Sequence, residues 1–274
     1  MSVRDHYAVV GHPVAHSRSP RIHALFAQQT GEDLVYRALD VEPGCLPVAV
    51  RAFATAGGRG LNVTVPFKEE AWEIADRRSA RADRAGAANT LCLHEDGEIF
   101  ADNTDGAGLV RDLVDNLHLT LRGARVLVLG AGGAVRGVLG PLLDQGPARL
   151  RIANRTAARA LELARRFAGG VPVVGGGFED IGAETFDLVI NGTAASLHGA
   201  LPPLPAGLLR PGAWAYDLMY GDEPTPFLRW AQQAGAAGTA DGLGMLVEQA
   251  AEAFALWRGI RPRTGPVIEA LRGR

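Results

Sequence analysis

Apolar residues follow two different spacings along the chain, and together they predict an α/β protein. Val126 to Leu129 form a continuous apolar run, which suits a strand buried on both faces of a parallel sheet. The segment Gly60 to Val65 alternates instead, with Leu61, Val63 and Val65 on one face and Asn62 and Thr64 on the other. Further strands are predicted at His6 to Val10, Leu34 to Leu39, Leu150 to Ala153, Phe186 to Ile190 and Ala213 to Leu218. Leu91 to Phe100 reads as a hairpin around Asp96-Gly97. Helical spacing puts Ile22, Leu25 and Phe26 on one face, with Ser19 suited to the N-cap, Pro20 to the first helical position and Thr30-Gly31 to the end. A second helix is expected over Leu46 to Ala56, closed by Gly57-Gly58, and Pro66 is expected to open a third. Asp105 begins another, with Leu109, Leu113 and Leu117 on one face; Leu161 to Phe167 is helical, and so is the chain from Gly242 onward. Arg77 and Arg78 read as a solvated helix face, and Gly175 to Gly177 and Pro202 to Pro205 as loops.

Composition narrows the function classes. At 274 residues the chain is long enough for two domains, and its 47% hydrophobic and 21% charged residues are those of a soluble globular protein. A formal net charge of −2 gives no electrostatic reason to expect nucleic acid. Cys45 and Cys92 lack metal-ligand spacing and the seven histidines form no cluster, so no metal is expected and a reducing, cytoplasmic compartment is. Arg4 and Asp5 lead into a strand, unlike a signal peptide, and no apolar run approaches the roughly 20 residues of a membrane helix.

The apolar run at Val126 leads directly into Gly130-Ala131-Gly132-Gly133-Ala134, followed by a helix-compatible segment. Strand, glycine turn and helix N-terminus make a pyrophosphate site, because the backbone approaches closely and free N–H groups face the anion. By itself a G-x-G is equally a tight βα turn without a ligand. The next βα unit adds to it: the strand at Leu150 to Ala153 ends in Asn154-Arg155-Thr156, with Arg159 one turn on. An NAD site usually has a carboxylate there for the ribose 2′-hydroxyl; two guanidinium groups instead suit a 2′-phosphate, hence NADP(H). Solvated charges at a helix start are the alternative for Arg155 and Arg159.

A second polar stretch is Asn62-Val63-Thr64-Val65-Pro66-Phe67-Lys68, with Asn62 and Thr64 on one side and Lys68 in a first helical turn, where the helix dipole disfavours a cation. On this stretch alone Lys68 reads as a surface lysine offset by Glu69 and Glu70. Asn89-Thr90 and Asn103-Thr104-Asp105 stand at the ends of the hairpin strands, where local turn bonding would also explain them, as it would Ser17 and Ser19 in the loop before the first helix.

In order along the chain stand HPVAHSRSP, NVTVPFK, AGAANT, DNTDG, GAGGA, NRTAAR, YDLMY and DGLGMLVEQA. This series, from about Val9 to Phe254, resembles that of the shikimate dehydrogenases. The resemblance implies NADPH-dependent, reversible reduction of 3-dehydroshikimate to shikimate in aromatic amino-acid biosynthesis. It implies two α/β domains: a substrate domain with a mostly parallel sheet (1–104 plus 242–274), and a Rossmann-like NADP-binding domain (105–241), with a cleft between them. By motif position, Lys68 and Asp105 match the catalytic pair. Ser17, Ser19, Asn62, Thr64, Asn89, Asp105, Tyr220 and Gln249 match substrate contacts. Gly130, Ala131, Gly132, Gly133, Ala134, Asn154, Arg155, Thr156, Arg159, Leu218 and Gly242 match cofactor contacts. Two residues depart from the family pattern: Val135 replaces a usual Ser or Ala, and Leu218 a common Met. The partner implied is a small-molecule substrate, with neither nucleic acid nor membrane, and the chain a monomer or homodimer. Two other readings are a quinate/shikimate dehydrogenase of broader specificity and a non-catalytic regulator binding dinucleotide and ring acid. Arg155 and Arg159 weigh against NAD, and Lys68 with Asp105 against a non-catalytic protein.

Overall fold

The alternating run and the continuous run become inner strands of two separate sheets. A computed structural model describes residues 4–193, 195 and 200–273. The chain divides into two units, Met1–Gly108 with Leu246–Arg274, and Leu109–Met245.

The first unit contains β1 (Asp5–Gly11), α1 (Ser19–Thr30), β2 (Leu34–Asp40), α2 (Leu46–Thr55), β3 (Gly58–Val63), α3 (Lys68–Glu73), β4 (Arg77–Arg78), α4 (Ala80–Ala85), β5 (Thr90–Leu93) and β6 (Ile99–Asp102). Its sheet runs β2-β1-β3-β5-β6-β4. The β2-β1-β3 half is parallel, and the β5–β6 hairpin joins β3 antiparallel. One face packs Ala8, Val10, Leu61, Val63 and Leu91 with Leu46 and Val50 of α2, so the alternation at Leu61 and Val63 reports a real core face. Val65 leaves that face: β3 ends at Val63, and Val65 is 65% exposed.

Three local expectations are corrected here. Ser19 is the first residue of α1 and not its N-cap; Arg18 holds that place, and the Ser19 N–H donates to Ser17 Oγ at 3.3 Å. Pro66 does not open α3. It follows a cis peptide bond in a turn closed by Phe67 N–H to Thr64 O at 3.0 Å, and Lys68 is the first helical residue. Arg77 and Arg78 form an edge strand rather than a helix face, because β4 pairs with β6 while the Arg78 guanidinium lies over the Trp72 ring.

The second unit follows from α5 (Asp105–Arg111), which continues as a π turn over Asp112–Asn116. Then come β7 (Arg125–Leu129), α6 (Gly133–Asp144), β8 (Arg149–Ala153), α7 (Ala157–Arg166), β9 (Val173–Gly176), β10 (Phe186–Asn191), β11 (Leu209–Asp217), α8 (Pro226–Gln233) and β12 (Gly238–Asp241). The sheet is parallel throughout, in the order β12-β11-β10-β7-β8-β9. The chain starts at the centre, builds outward to β9, and returns to build the other half from β10. This is the doubly wound order, with its ligand position at the carboxyl ends of β7 and β10. The run Val126–Leu129 is continuously apolar because Val126 and Val128 enter one core with Leu109 and Leu113, while Leu127 and Leu129 enter another with Phe227 and Leu228. The glycines expected in a loop at Gly175 and Gly176 end β9 instead. A Cβ on Gly175 would sit 2.2 Å from Ala160 O, so α7 requires a bare strand there. Among the described residues no helix is long and apolar enough to cross a membrane.

The chain returns to the first unit along α9 (Leu243–Arg258) and α10 (Gly265–Arg272). Trp257 Nε1 donates to Leu91 O at 3.0 Å, and Arg258 binds Glu32 at 2.7 Å and also pairs with Asp5. On the same side His23 of α1 is fully buried among Phe26, Phe254 and Trp257. Burial holds its imidazole down at about 3, against an ordinary 6.5, so it is neutral in the folded chain at neutral pH. Once unfolded, His23 binds its proton near pH 6.5, so the unfolded state takes up the extra proton and stability falls as pH drops from 6.5 toward 3. Denaturant unfolding at pH 7.5 and 5.0 should show this slope, and His23→Phe should flatten it. An unchanged slope in the variant would refute the assignment.

Candidate active site

Lys68, Asp105, Asn89 and Gln249 come from four separate stretches of sequence and meet in the first unit. The turn after β3 buries Phe67 and delivers Lys68 at the start of α3, where Lys68 O accepts the Ala88 N–H at 2.7 Å. Lys68 Nζ lies 2.5 Å from Asp105 Oδ2, with the two side chains only 13% and 5% exposed. Asp105 is aimed by its neighbours: its N–H donates to Asn103 Oδ1 at 3.2 Å, and its Oδ1 accepts from Asn89 Nδ2 at 2.8 Å.

Asn89 is the hub. Its Nδ2 also reaches Thr104 Oγ1 at 2.9 Å and Gln249 Oε1 at 3.1 Å, while its Oδ1 accepts from the Thr104 N–H at 2.8 Å and Thr90 Oγ1 at 3.0 Å. Gln249 on α9 is oriented by donating Nε2 to Leu246 O at 2.9 Å. A buried ammonium–carboxylate pair backed by amides is a proton donor held at one place, able to serve a carbonyl oxygen or an alkoxide.

Asn62 joins the cluster through Asn89 O, to which its Nδ2 donates at 3.2 Å, and its Oδ1 accepts the Tyr36 hydroxyl at 2.7 Å. Ser17 and Ser19 are linked to each other, as above, in the loop leading into α1. Thr64 stands at the end of β3, its N–H donating to Val10 O at 2.9 Å. Tyr220 follows β11 and belongs to the second unit. Tyr36 and His23 lie outside every motif of the series. A tyrosine on an edge strand with exposed Arg37 and Ala38 beside it carries no motif, and only its partner Asn62 points to it.

In the second unit the cofactor candidates gather at the carboxyl ends of the parallel strands. Gly130 ends β7 with φ +106°, and a Cβ there would lie 2.8 Å from Gly192 O after β10. Only glycine satisfies both conditions. Gly132 precedes α6, and among the described residues no side chain caps the helix and nothing lies within 4 Å of where a Cβ on Gly132 would sit. Asn154, Thr156, Arg155 and Arg159 follow β8. Asn154 Nδ2 donates to Thr156 O at 3.0 Å, and both arginines are exposed with no ion-pair partner among the described residues. Buried Asn191 and Asp217 brace the strand ends beside Leu218: Asn191 Nδ2 meets Asp217 Oδ1 at 3.1 Å, and Thr225 Oγ1 donates to Asp217 Oδ2 at 2.6 Å. Gly242 donates its N–H to Met219 O at 3.0 Å. An uncapped helix end, an open glycine turn and two unengaged guanidinium groups fit a phosphorylated dinucleotide.

Known proteins resemble the chain along most of its length. Family models match residues 9–91 (shikimate dehydrogenase substrate binding domain), 112–198 (shikimate / quinate 5-dehydrogenase) and 242–272 (shikimate 5′-dehydrogenase C-terminal domain). The chain is 62% identical to the shikimate dehydrogenase (NADP(+)) of Methylococcus capsulatus, over 99% of this chain and 97% of that one. The chain belongs to the shikimate dehydrogenase family. The corresponding enzyme of Thioalkalivibrio sulfidiphilus is 59% identical, with 98% of each chain covered. Among solved structures, shikimate 5-dehydrogenase from Thermus thermophilus in complex with NADP(H) and shikimate aligns at TM-score 0.86 and 38% identity over 98% of each chain. An Ael1 enzyme from Pseudomonas putida aligns at 0.90 and 50%, covering 97% of this chain and 98% of that one. Within this shikimate dehydrogenase family member, Val135 is fully buried, and its Cγ2 fills the space where a Cβ on Gly192 would fall, 2.5 Å away. The larger residue is accommodated by the bare turn after β10.

Proposed function

We propose that the chain catalyses the reversible, NADPH-dependent reduction of 3-dehydroshikimate to shikimate. The observation that carries this is the Lys68–Asp105 pair, braced by Asn89 and Gln249 in a member of the shikimate dehydrogenase family. NADP, when bound, supplies the hydride in one direction and accepts it in the other. Lys68 gives its proton to the substrate carbonyl oxygen during reduction and recovers it from the hydroxyl in the reverse direction. Asp105 orients the ammonium and accepts a hydrogen bond from the neighbouring ring hydroxyl. Asn62, Thr64, Asn89 and Gln249 take the remaining hydroxyls, Ser19 accepts from one of them through its oxygen, and Ser17 donates to the carboxylate. A polyhydroxylated ring acid suits such a lining because each of its polar groups finds a partner.

On this reading residues 1–104 with 242–274 bind substrate and residues 105–241 bind NADP. Gly130 to Ala134 and the first turn of α6 take the pyrophosphate, with Leu218 and Gly242 beside the nicotinamide. Asn154, Arg155, Thr156 and Arg159 take the adenosine ribose and its 2′-phosphate. The free thiols Cys45 and Cys92 support a cytoplasmic setting. Steady-state rates with shikimate and quinate, each with NADP and NAD, test the assignment. Shikimate with NADP should be the best pair, and a preference for quinate with NAD would overturn it.

Ser17 offers a further test. Its Oγ accepts the Ser19 N–H, which leaves its own proton to give to the carboxylate. Ser17→Ala should raise the KM for shikimate about tenfold, the size of one hydrogen bond to a charged group, and leave the KM for NADP unchanged. An unmoved shikimate KM would remove Ser17 from the site.

A further inference from the structure

Tyr36 sits between two residues of the proposed substrate site. Its phenol donates to Asn62 Oδ1 at 2.7 Å, and the Ser19 hydroxyl hydrogen-bonds the same phenol. The direction of the Asn62 bond is fixed from the far side of the amide. Asn62 Nδ2 lies 3.2 Å from Asn89 O and 3.2 Å from Thr90 Oγ1. A backbone carbonyl only accepts, so the amino end faces Asn89 and the carbonyl end faces Tyr36. The phenol thus spends its proton on Asn62 and accepts from Ser19.

Behind the phenol, the Tyr36 ring stacks on His23 with centroids 4.1 Å apart and planes 5° from parallel. His23 is fully buried, and neither ring nitrogen has a partner within hydrogen-bond geometry among the described residues. An apolar side chain would fill that volume without the cost of burying two unpaired nitrogens. What the imidazole provides is a flat, uncharged platform that fixes the tilt of the phenol.

We propose that Tyr36 is a positioning residue of the substrate site: its hydroxyl ties Ser19 on α1 to Asn62 on β3 and sets the spacing at which the two meet the ring acid. The inference rests on the assignment of Ser19 and Asn62 as substrate contacts. It makes the stacked pair Tyr36–His23 part of substrate recognition, although neither side chain needs to touch the substrate.

Tyr36→Phe keeps the ring and its stack and removes only the joint. The KM for shikimate should rise roughly five- to tenfold, with kcat within about twofold of wild type and the KM for NADP unchanged. Tyr36→Leu, which also removes the stack, should show at least the same rise. With Ser19 already replaced in Ser19→Ala, Tyr36→Phe should add much less than it does alone, because the two changes break one connection. Melting temperatures measured on the same preparations separate the KM change from unfolding. A KM that moves in Tyr36→Leu but not in Tyr36→Phe would reduce Tyr36 to packing, and fully additive penalties would dissolve the joint; either result overturns the proposal. Wild-type protein that fails to turn over shikimate brings down the proposed function and this inference together. Wild-type turnover with an unmoved KM in Tyr36→Phe brings down the inference alone.

Discussion

Lys68→Ala should lower kcat by about 10²- to 10⁴-fold, the usual contribution of a positioned general acid, while the KM for shikimate changes far less. The split follows from the division of labour in the site. Ser17, Ser19, Asn62, Asn89 and Gln249 hold the ring in the proposed arrangement, and none of them depends on Lys68 for its position: Asn89 and Gln249 are fixed by each other and by Thr104 and Leu246. The variant will also be less stable, since Asp105 loses its cation and keeps only Asn89 and its own helix turn. Breaking a buried ion pair typically costs about 3–5 kcal/mol. The measurement is therefore made well below the variant's melting temperature, on folded protein. A lysine that served only as an ion-pair partner would show the stability loss with kcat nearly intact, and a kcat within a few-fold of wild type would sink the catalytic assignment.

Arg155→Ala should weaken NADPH binding by about 10- to 100-fold and leave NADH almost unaffected. Charge-assisted hydrogen bonds to a phosphate contribute roughly 1.5–3 kcal/mol, and about 1.4 kcal/mol is a factor of ten. Arg155 and Arg159 are exposed and have no ion-pair partner among the described residues, so no carboxylate among them competes with a ligand for either guanidinium. The same exposure predicts that the penalty shrinks at high ionic strength, where the wild-type interaction is itself screened. Dissociation constants for NADPH and NADH at low and high salt check both points. Equal losses for the two cofactors would mean that Arg155 holds the loop after β8 rather than the 2′-phosphate.

Much of the architecture was legible in the sequence where periodicity was clean. The run Val126–Leu129 announced a doubly buried strand because it feeds two cores, and Leu61 with Val63 announced a half-buried one. Periodicity failed where a tertiary contact overrode it. Gly175 and Gly176 look like loop residues, yet α7 passes so close that a strand is possible there only without side chains. Val65 continues the alternation by one residue after the strand has ended. Arg77 and Arg78 pair with β6, a partner more than twenty positions away that no local pattern reveals.

The candidate site divides along the same line. Asn62, Lys68, Asn89, Asp105 and Gln249 lie in short polar motifs that point to a site only as a series, through its resemblance to the shikimate dehydrogenases, and their mutual contacts are not readable from spacing. Tyr36 and His23 were missed because each looks like ordinary core: a tyrosine on a strand and a histidine on the apolar face of α1 beside Ile22 and Phe26. What distinguishes them is the partner each meets through the fold, and partners of that kind leave no trace in linear order.

The grip of Arg258 on Asp5 and Glu32, with Trp257 on Leu91, has a consequence for biosynthesis. Leu109–Met245 is one uninterrupted stretch and can fold as soon as it has left the ribosome, whereas the unit around β1 is made in two instalments. Its first instalment, emerging earliest, has to wait through the synthesis of the whole parallel sheet before α9 covers His23 and brings Gln249 to Asn89. The portion translated first is thus the portion finished last, and the interval before α9 arrives is when the nascent chain most needs chaperone protection.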